Sequence, residues 1–198
     1  MSEASPTRAA VLELKDEQRA MHEGYVFLDE KCLLLAGEIL RELARHAELE
    51  RAMLEAHQAA IQALQAAVAR HGLADLQVYP PFDQSNASLA RETRSVMGVR
   101  LQDVTWRPAE EMPRPSVATS PEGDACRRAF VAVIVAAAQL AGVSGNLERL
   151  SFEYRRSVRR ARALQDVLLP ELDRAVYGIE GRLEELEQED AISMRRRP

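Results

Sequence analysis

With 198 residues the chain has room for one or two ordinary domains, and 46% apolar, 5% aromatic and 29% charged residues favour long helices over a sheet core. A net charge of −5 argues against general nucleic-acid binding, which needs a basic surface. The opening MSEASPTRAAVLELKDEQ lacks the cationic start and apolar core of a signal peptide, and Cys32 and Cys126 fit a reduced cytoplasm. The longest apolar run, Phe130 to Val143, is interrupted by Gln139 and falls short of the ~20 residues of a membrane span. A soluble, intracellular chain is expected.

Proline placement divides the chain. None occurs from Thr7 to Tyr79, six fall between Pro80 and Pro121, and only Pro170 interrupts the remainder before Pro198. Proline removes a helical donor and collides with the preceding turn, so two helical arms are expected around an irregular middle. The segments are 1–72, 73–120 and 121–198, and the fold class is mainly α: a long antiparallel two-helix coiled-coil hairpin with a small β-hairpin and loop inserted.

In the first arm Leu14, Gln18, Met21, Tyr25, Leu28, Cys32, Leu35 and Ile39 alternate in steps of four and three, one face of a helix. Two successive fours then lead to Leu43 and Ala47, a stutter. Glu50 interrupts the seam, which resumes through Leu54, His57, Ile61, Leu64 and Val68. His71-Gly72 is the expected stop. Helix over 8–71 would be roughly 95 Å long at 1.5 Å per residue.

In the middle, RSVMGVRLQDVTW has β-branched residues and an aromatic around Gly98 and reads as a strand or short hairpin. Pro108, Pro113 and Pro115 follow as a loop. The second arm starts at Ser120-Pro121, a capping serine with proline at the first helical position. Its seam runs Ala137, Leu140, Ser144, Leu147, Ser151, Tyr154, Val158, Ala161, Gln165, Leu168, Leu172, Ile179, Leu183 and Leu186. Gly142, Gly145 and Asn146 predict a kink or break. Folded antiparallel, facing residues should have numbers summing to about 195 at equal helical rise. Gly24 and Pro170 would then face each other and share a bend. Cys32 and Cys126 would lie too far apart for a disulfide.

Five arginines, Arg155, Arg156, Arg159, Arg160 and Arg162, fall within eight positions beside the seam, with Asp166 the main acid in i,i+4 reach. The run Phe130, Val131, Val133, Ile134, Val135 is apolar around nearly the whole helix, implying a neighbour beyond a single partner helix. The three arginines Arg195 to Arg197 read as an untethered tail or a charged tip.

The chemistry of a catalyst is not found. The phosphate-cradling glycine motifs are missing, and Lys15 and Lys31 are the only lysines. No histidine stands three residues after a Glu, as di-iron bundles require. His57, on the seam, reads as a packed histidine rather than a ligand. No catalytic, metal-binding or cofactor-binding residue is assigned.

The stretch LSFEYRRSVRRARALQDVLLP resembles the C-terminal signature of the D subunit of V-type and A-type ATPases, the central rotor shaft. Glu153, Arg156-Ser157, Arg159-Arg160, Ala163-Leu164 and Leu169-Pro170 match its steps. Met97-Gly98-Val99 is similar to the Met-Gly-Val of the family's small β-hairpin, Pro6-Thr7-Arg8 to its opening, and Gly24, Leu28 and Lys31 to a further motif. There Cys32-Leu33 replaces the usual Arg-Asp. Leu183 to Glu189 resembles the acidic run. The resemblance covers nearly the whole chain and implies a non-catalytic rotor component without cofactor, cytoplasmic and peripheral to the membrane within the ATPase complex. It implies contacts with the catalytic A and B subunits, the F subunit of the stalk and the C/d socket subunit, and neither nucleic acid nor membrane insertion. The arginine belt is then expected to meet the catalytic ring. Phe130 to Val135, with the facing Met53 to Gln65, is expected to meet the F subunit. The rival readings are the stalk of an export ATPase, a free-standing coiled-coil scaffold and an α-helical enzyme.

Overall fold

The computed structural model describes residues 7–77, 87–107 and 120–196. In chain order these form helix α1 (Arg8–Gln77), strands β1 (Ser88–Val96) and β2 (Val99–Arg107), helix α2 (Pro121–Ala163), a π turn (Leu164–Leu168) and helix α3 (Leu169–Arg196). The fold is mainly α with a two-stranded antiparallel hairpin between helical arms, as expected. Pro6, the prolines at 108, 113 and 115, and Arg197 lie outside the described residues.

The helix ends follow the local chemistry. Thr7 Oγ1 accepts the Ala10 amide at 3.2 Å, and Ser120 Oγ accepts that of Gly123 at 3.1 Å, each satisfying a donor with no intrahelical partner. Gly72 has φ of 72°, the positive value that lets a chain leave a helix without a Cβ penalty. The second arm starts at Pro121 as expected, whereas Gly72 makes a kink rather than the end of the first, and helical structure resumes beyond it to Gln77. At the other end α3 continues to Arg196, so Arg195 and Arg196 belong to the helix rather than to a tail.

The chain forms two compact units, each drawing on both arms. The first takes the residues up to Leu34 and those from Tyr154 onward. Its arms run antiparallel: Arg8 pairs with Glu187 and Lys15 with Glu180, both at 2.6 Å, and Gln18 donates to Asp173. The first two pairs have the sum of 195 that was expected. A β-carbon on Gly24 would sit 3.8 Å from Leu164 Cδ1, so Gly24 lies by Leu164 rather than by Pro170. That spacing is ordinary van der Waals contact, and no special backbone approach is needed there.

The helix also widens before Pro170. The Leu169 amide bonds the Leu164 carbonyl, five residues back instead of four. The buried face therefore passes from Ala161 and Leu164 to Leu169, Leu172 and Val176. Gln165 and Leu168, expected on the seam, are exposed. A proline ring collides with the carbonyl four residues back in an α-helix, and a wide turn ahead of Pro170 relieves that collision.

The second unit is Leu35–Glu153. Here the α1 seam differs from expectation. The buried positions are Leu35, Glu38, Glu42, Ala60 and Ala67, with Leu49, Met53, Ala56 and Ala63 half-buried. Leu43, Ala47, Leu54, His57, Ile61 and Leu64 are exposed. No stutter occurs, and the steps of four and three continue one residue earlier than predicted.

The hairpin accounts for the difference. Met97 and Gly98, both at positive φ (48° and 83°), form the two-residue turn, and strand pairs run from Val96–Val99 to Ser88–Arg107. Met97 carries a Cβ in the left-handed region, at roughly 1 kcal/mol. One sheet face presents Arg94, Leu101 and Asp103 to α1. Arg94 Nη2 reaches Glu38 at 2.6 Å and Glu42 at 2.8 Å, Asp103 pairs with Arg45, and Leu101 is fully buried. The two buried carboxylates are thus neutralised from the hairpin.

The expected break in the second helix is absent: α2 is continuous from Pro121 to Ala163. The residues that suggested a break receive the hairpin instead. A β-carbon on Gly142 would lie 2.9 Å from Val104 Cγ2 and 3.4 Å from Val104 N, so the strand occupies the space glycine leaves. Asn146, fully buried, accepts the Gln102 amide at 2.8 Å and donates to the Gln102 carbonyl at 3.1 Å. Because Val96 and Val99 close the turn, alternation directs the Gln102 backbone groups to the outer edge of β2. Asn146 covers that edge as a neighbouring strand would, and it also donates to Glu42 at 3.2 Å.

Candidate functional site: an arginine belt and an apolar face

The belt lies in the first unit. Tyr154, Ser157, Val158 and Ala161 turn inward, Ser157 and Ala161 being buried, while Arg155, Arg156, Arg159, Arg160 and Arg162 are all exposed. Arg155 and Arg156 also engage neighbours within the chain. The expected Arg162–Asp166 ion pair does not form among the described residues, since the wide turn starting at Leu164 displaces Asp166 from its α-helical position. The result is a cluster of positive charge on a rigid helix, suited to carboxylates through bidentate geometry.

The apolar face lies in the second unit. Phe130 and Ile134 are each 41% exposed, and Val131, Val133 and Val135 are half-buried. On α1 the small residues Ala60 and Ala67 face inward, leaving Leu54, Ile61 and Leu64 outside. Close alanine packing therefore displaces the larger side chains to the surface. Part of the helical stretch Pro121–Arg195 is long and apolar enough to span a membrane by length and composition, and most of that part is not buried. The shorter run counted in the sequence missed this. Gly142 lies within the run Phe130 to Val143 and Asn146 just beyond it, and both receive the hairpin, giving its apolar character a protein-packing role.

Of the other residues singled out, Lys31 and Pro170 are half-buried, Met97 and Gly98 form the hairpin turn, and Val99 is buried beneath it. Cys32 is half-buried and Cys126 buried. They occupy different units and form no disulfide, and burial raises both thiols above their usual pKa. His71 pairs with the Ser120 hydroxyl and so joins α1, just ahead of its Gly72 kink, to the cap of α2. No cluster of His, Cys, Asp and Glu suited to a metal ion occurs among the described residues.

Periodicity missed Glu38, Glu42 and Asn146, the three buried polar groups that hold the hairpin. The available signal was their spacing: Glu38 and Glu42 one turn apart on one helix, Gly142 and Asn146 one turn apart on the other.

A model of the family of ATP synthase D subunits matches residues 10–196. The chain belongs to the ATP synthase D subunit family. A V-type ATP synthase D subunit from Thermotoga neapolitana is 25% identical over 193 residues, 97% of this chain and 95% of the relative. A-type ATP synthase D subunits from Pyrococcus horikoshii and Thermococcus gammatolerans are 28% and 29% identical over 195 residues, 96% of this chain and 91% of each relative. Family membership makes the chain a central-stalk component of a rotary V/A-type ATPase, and neither an export-ATPase stalk nor a free-standing scaffold is favoured. It also implies assembly with other chains of the complex.

Proposed function

We propose that the chain transmits torque between the catalytic A/B ring and the membrane rotor, itself performing no chemistry. The single observation that carries this is the division of labour at residues 154–162: apolar and small groups inward, five guanidinium groups outward on a helix paired with its partner arm. Two helices with interlocked side chains twist as one body, whereas a single helix would wind. The belt engages an acidic collar in the ring, the face around Phe130 and Ile134 with Leu54 and Ile61 receives the F subunit, and the C/d socket subunit joins the stalk to the rotor. Nucleotide binds the ring, and the chain stays peripheral to the membrane on the cytoplasmic side.

The test is assembly of the tagged chain with its complex, compared with an Arg156→Glu/Arg159→Glu variant. The variant should keep its helical circular dichroism and retain the ring subunits at least about tenfold less well, as expected when charged interface contacts are reversed. Undiminished retention would refute the belt's role.

A further inference from the structure

The two outer edges of the hairpin differ. Asn146 covers that of β2 at Gln102, and Val104 lies against Gly142. On β1 the same alternation directs the N–H and C=O groups of Leu89, Arg91, Thr93 and Ser95 outward, and among the described residues none of these groups has a partner. Seven of the nine residues of β1 are exposed. An open edge of that length is a template for pairing, which proteins ordinarily blunt.

Beside the edge lies a groove of about 310 Å³ between the hairpin and α2. Leu89, Val104, Ala138 and Ala141 give it apolar walls, and its only charged lining residues are Arg91 and Arg149. A strand added next to β1 would send every second side chain over the face that carries Leu89 and Arg91. Apolar side chains would then enter the groove and a carboxylate would meet the two guanidinium groups.

We propose that β1 accepts a third strand, an extended segment of alternating acidic and apolar residues from another chain of the assembled complex. Backbone pairing supplies the affinity and the groove the selectivity. A second copy of this chain fits poorly, because edge-to-edge pairing would gather Arg91 and Arg149 of both copies on one surface. The inference rests on assembly into the complex but not on the arginine belt.

Amide hydrogen exchange of the full chain, alone and within the purified complex, tests it. The amides of Leu89, Arg91, Thr93 and Ser95 should exchange freely in the isolated chain and at least about 100-fold more slowly in the complex. Glu92 and Arg94, bonded inside the hairpin, should be protected in both. Thr93→Pro removes an outward donor without touching the ladder and should abolish the added protection. Arg91→Glu should weaken it about tenfold by charge reversal. Retention of both variants in the complex is measured first, which separates loss of this strand from failure to assemble. Unchanged exchange at the four amides in the complex would overturn the proposal. So would protection in the isolated chain, whether independent of concentration (the chain's own segments cover the edge) or rising with it (a second copy does).

Discussion

Asn146→Ala should loosen the hairpin from both helices at once. The carboxamide makes four hydrogen bonds: with the Gln102 amide (2.8 Å), the Gln102 carbonyl (3.1 Å), Glu42 (3.2 Å) and Arg149 (2.9 Å). Arg149 is exposed and can turn to water, so three bonds of a fully buried carboxamide are lost. At roughly 0.5–1.5 kcal/mol each, the loss is about 1.5–4.5 kcal/mol. Asn146→Asp has the same shape and still accepts from Gln102 and Arg149. It loses both donated bonds, however, and sets a carboxylate against Glu42, so at neutral pH it should be worse than alanine. Urea unfolding followed by circular dichroism gives the stabilities, and amide exchange at Gln102 reports the edge itself. A change under about 0.5 kcal/mol, an unaffected Gln102 amide, or an aspartate variant milder than alanine would refute this account of the docking.

Arg94→Ala leaves Glu38 and Glu42 buried without their shared cation, and thermal melting should show a loss of roughly 2–3 kcal/mol, below the range for an isolated buried pair because Arg41 and Arg45 remain close. Deleting Val167 should close the wide turn and place Pro170 inside a regular helix at about 3 kcal/mol; adding Pro170→Ala should recover most of that in the same denaturation assay, and no recovery would mean the turn has another origin. Glu122 sits below its usual pKa of 4.5, chiefly because its own backbone amide binds the carboxylate, with Arg70 adding to the effect. Its contribution should therefore be complete above that value and vanish as pH falls through the lower folded pKa, so melting temperatures of Glu122→Gln and the parent protein should converge at the acid end and separate toward neutrality.

The arms, their starts and the hairpin were legible because each rests on local chemistry: proline spacing, a capping serine and β-branched residues around Gly98. The seam was legible through Ile39, where large apolar residues mark it. Around and beyond that point the inward face carries Glu38, Glu42 and a run of alanines, and the two carboxylates are held there by Arg94 and Asn146 from distant parts of the chain together with Arg41 and Arg45. Hydrophobic periodicity favours Leu43, Leu54 and Ile61 instead, and these lie outside. Gly142 and Asn146 were misjudged for the same reason, since residues that weaken an isolated helix are here the ones that admit a strand. The slip after Ala161 was unreadable because a wide turn leaves no compositional mark apart from Pro170.

Glu38 and Glu42 on one helix, with Gly142 and Asn146 on the other, amount to a portable socket. Each helix supplies two residues one turn apart, and together they offer a notch, a surrogate strand and two anionic anchors. Four substitutions at matched heights on an unrelated antiparallel helix pair should thus be enough to graft such a β-ribbon onto its flank.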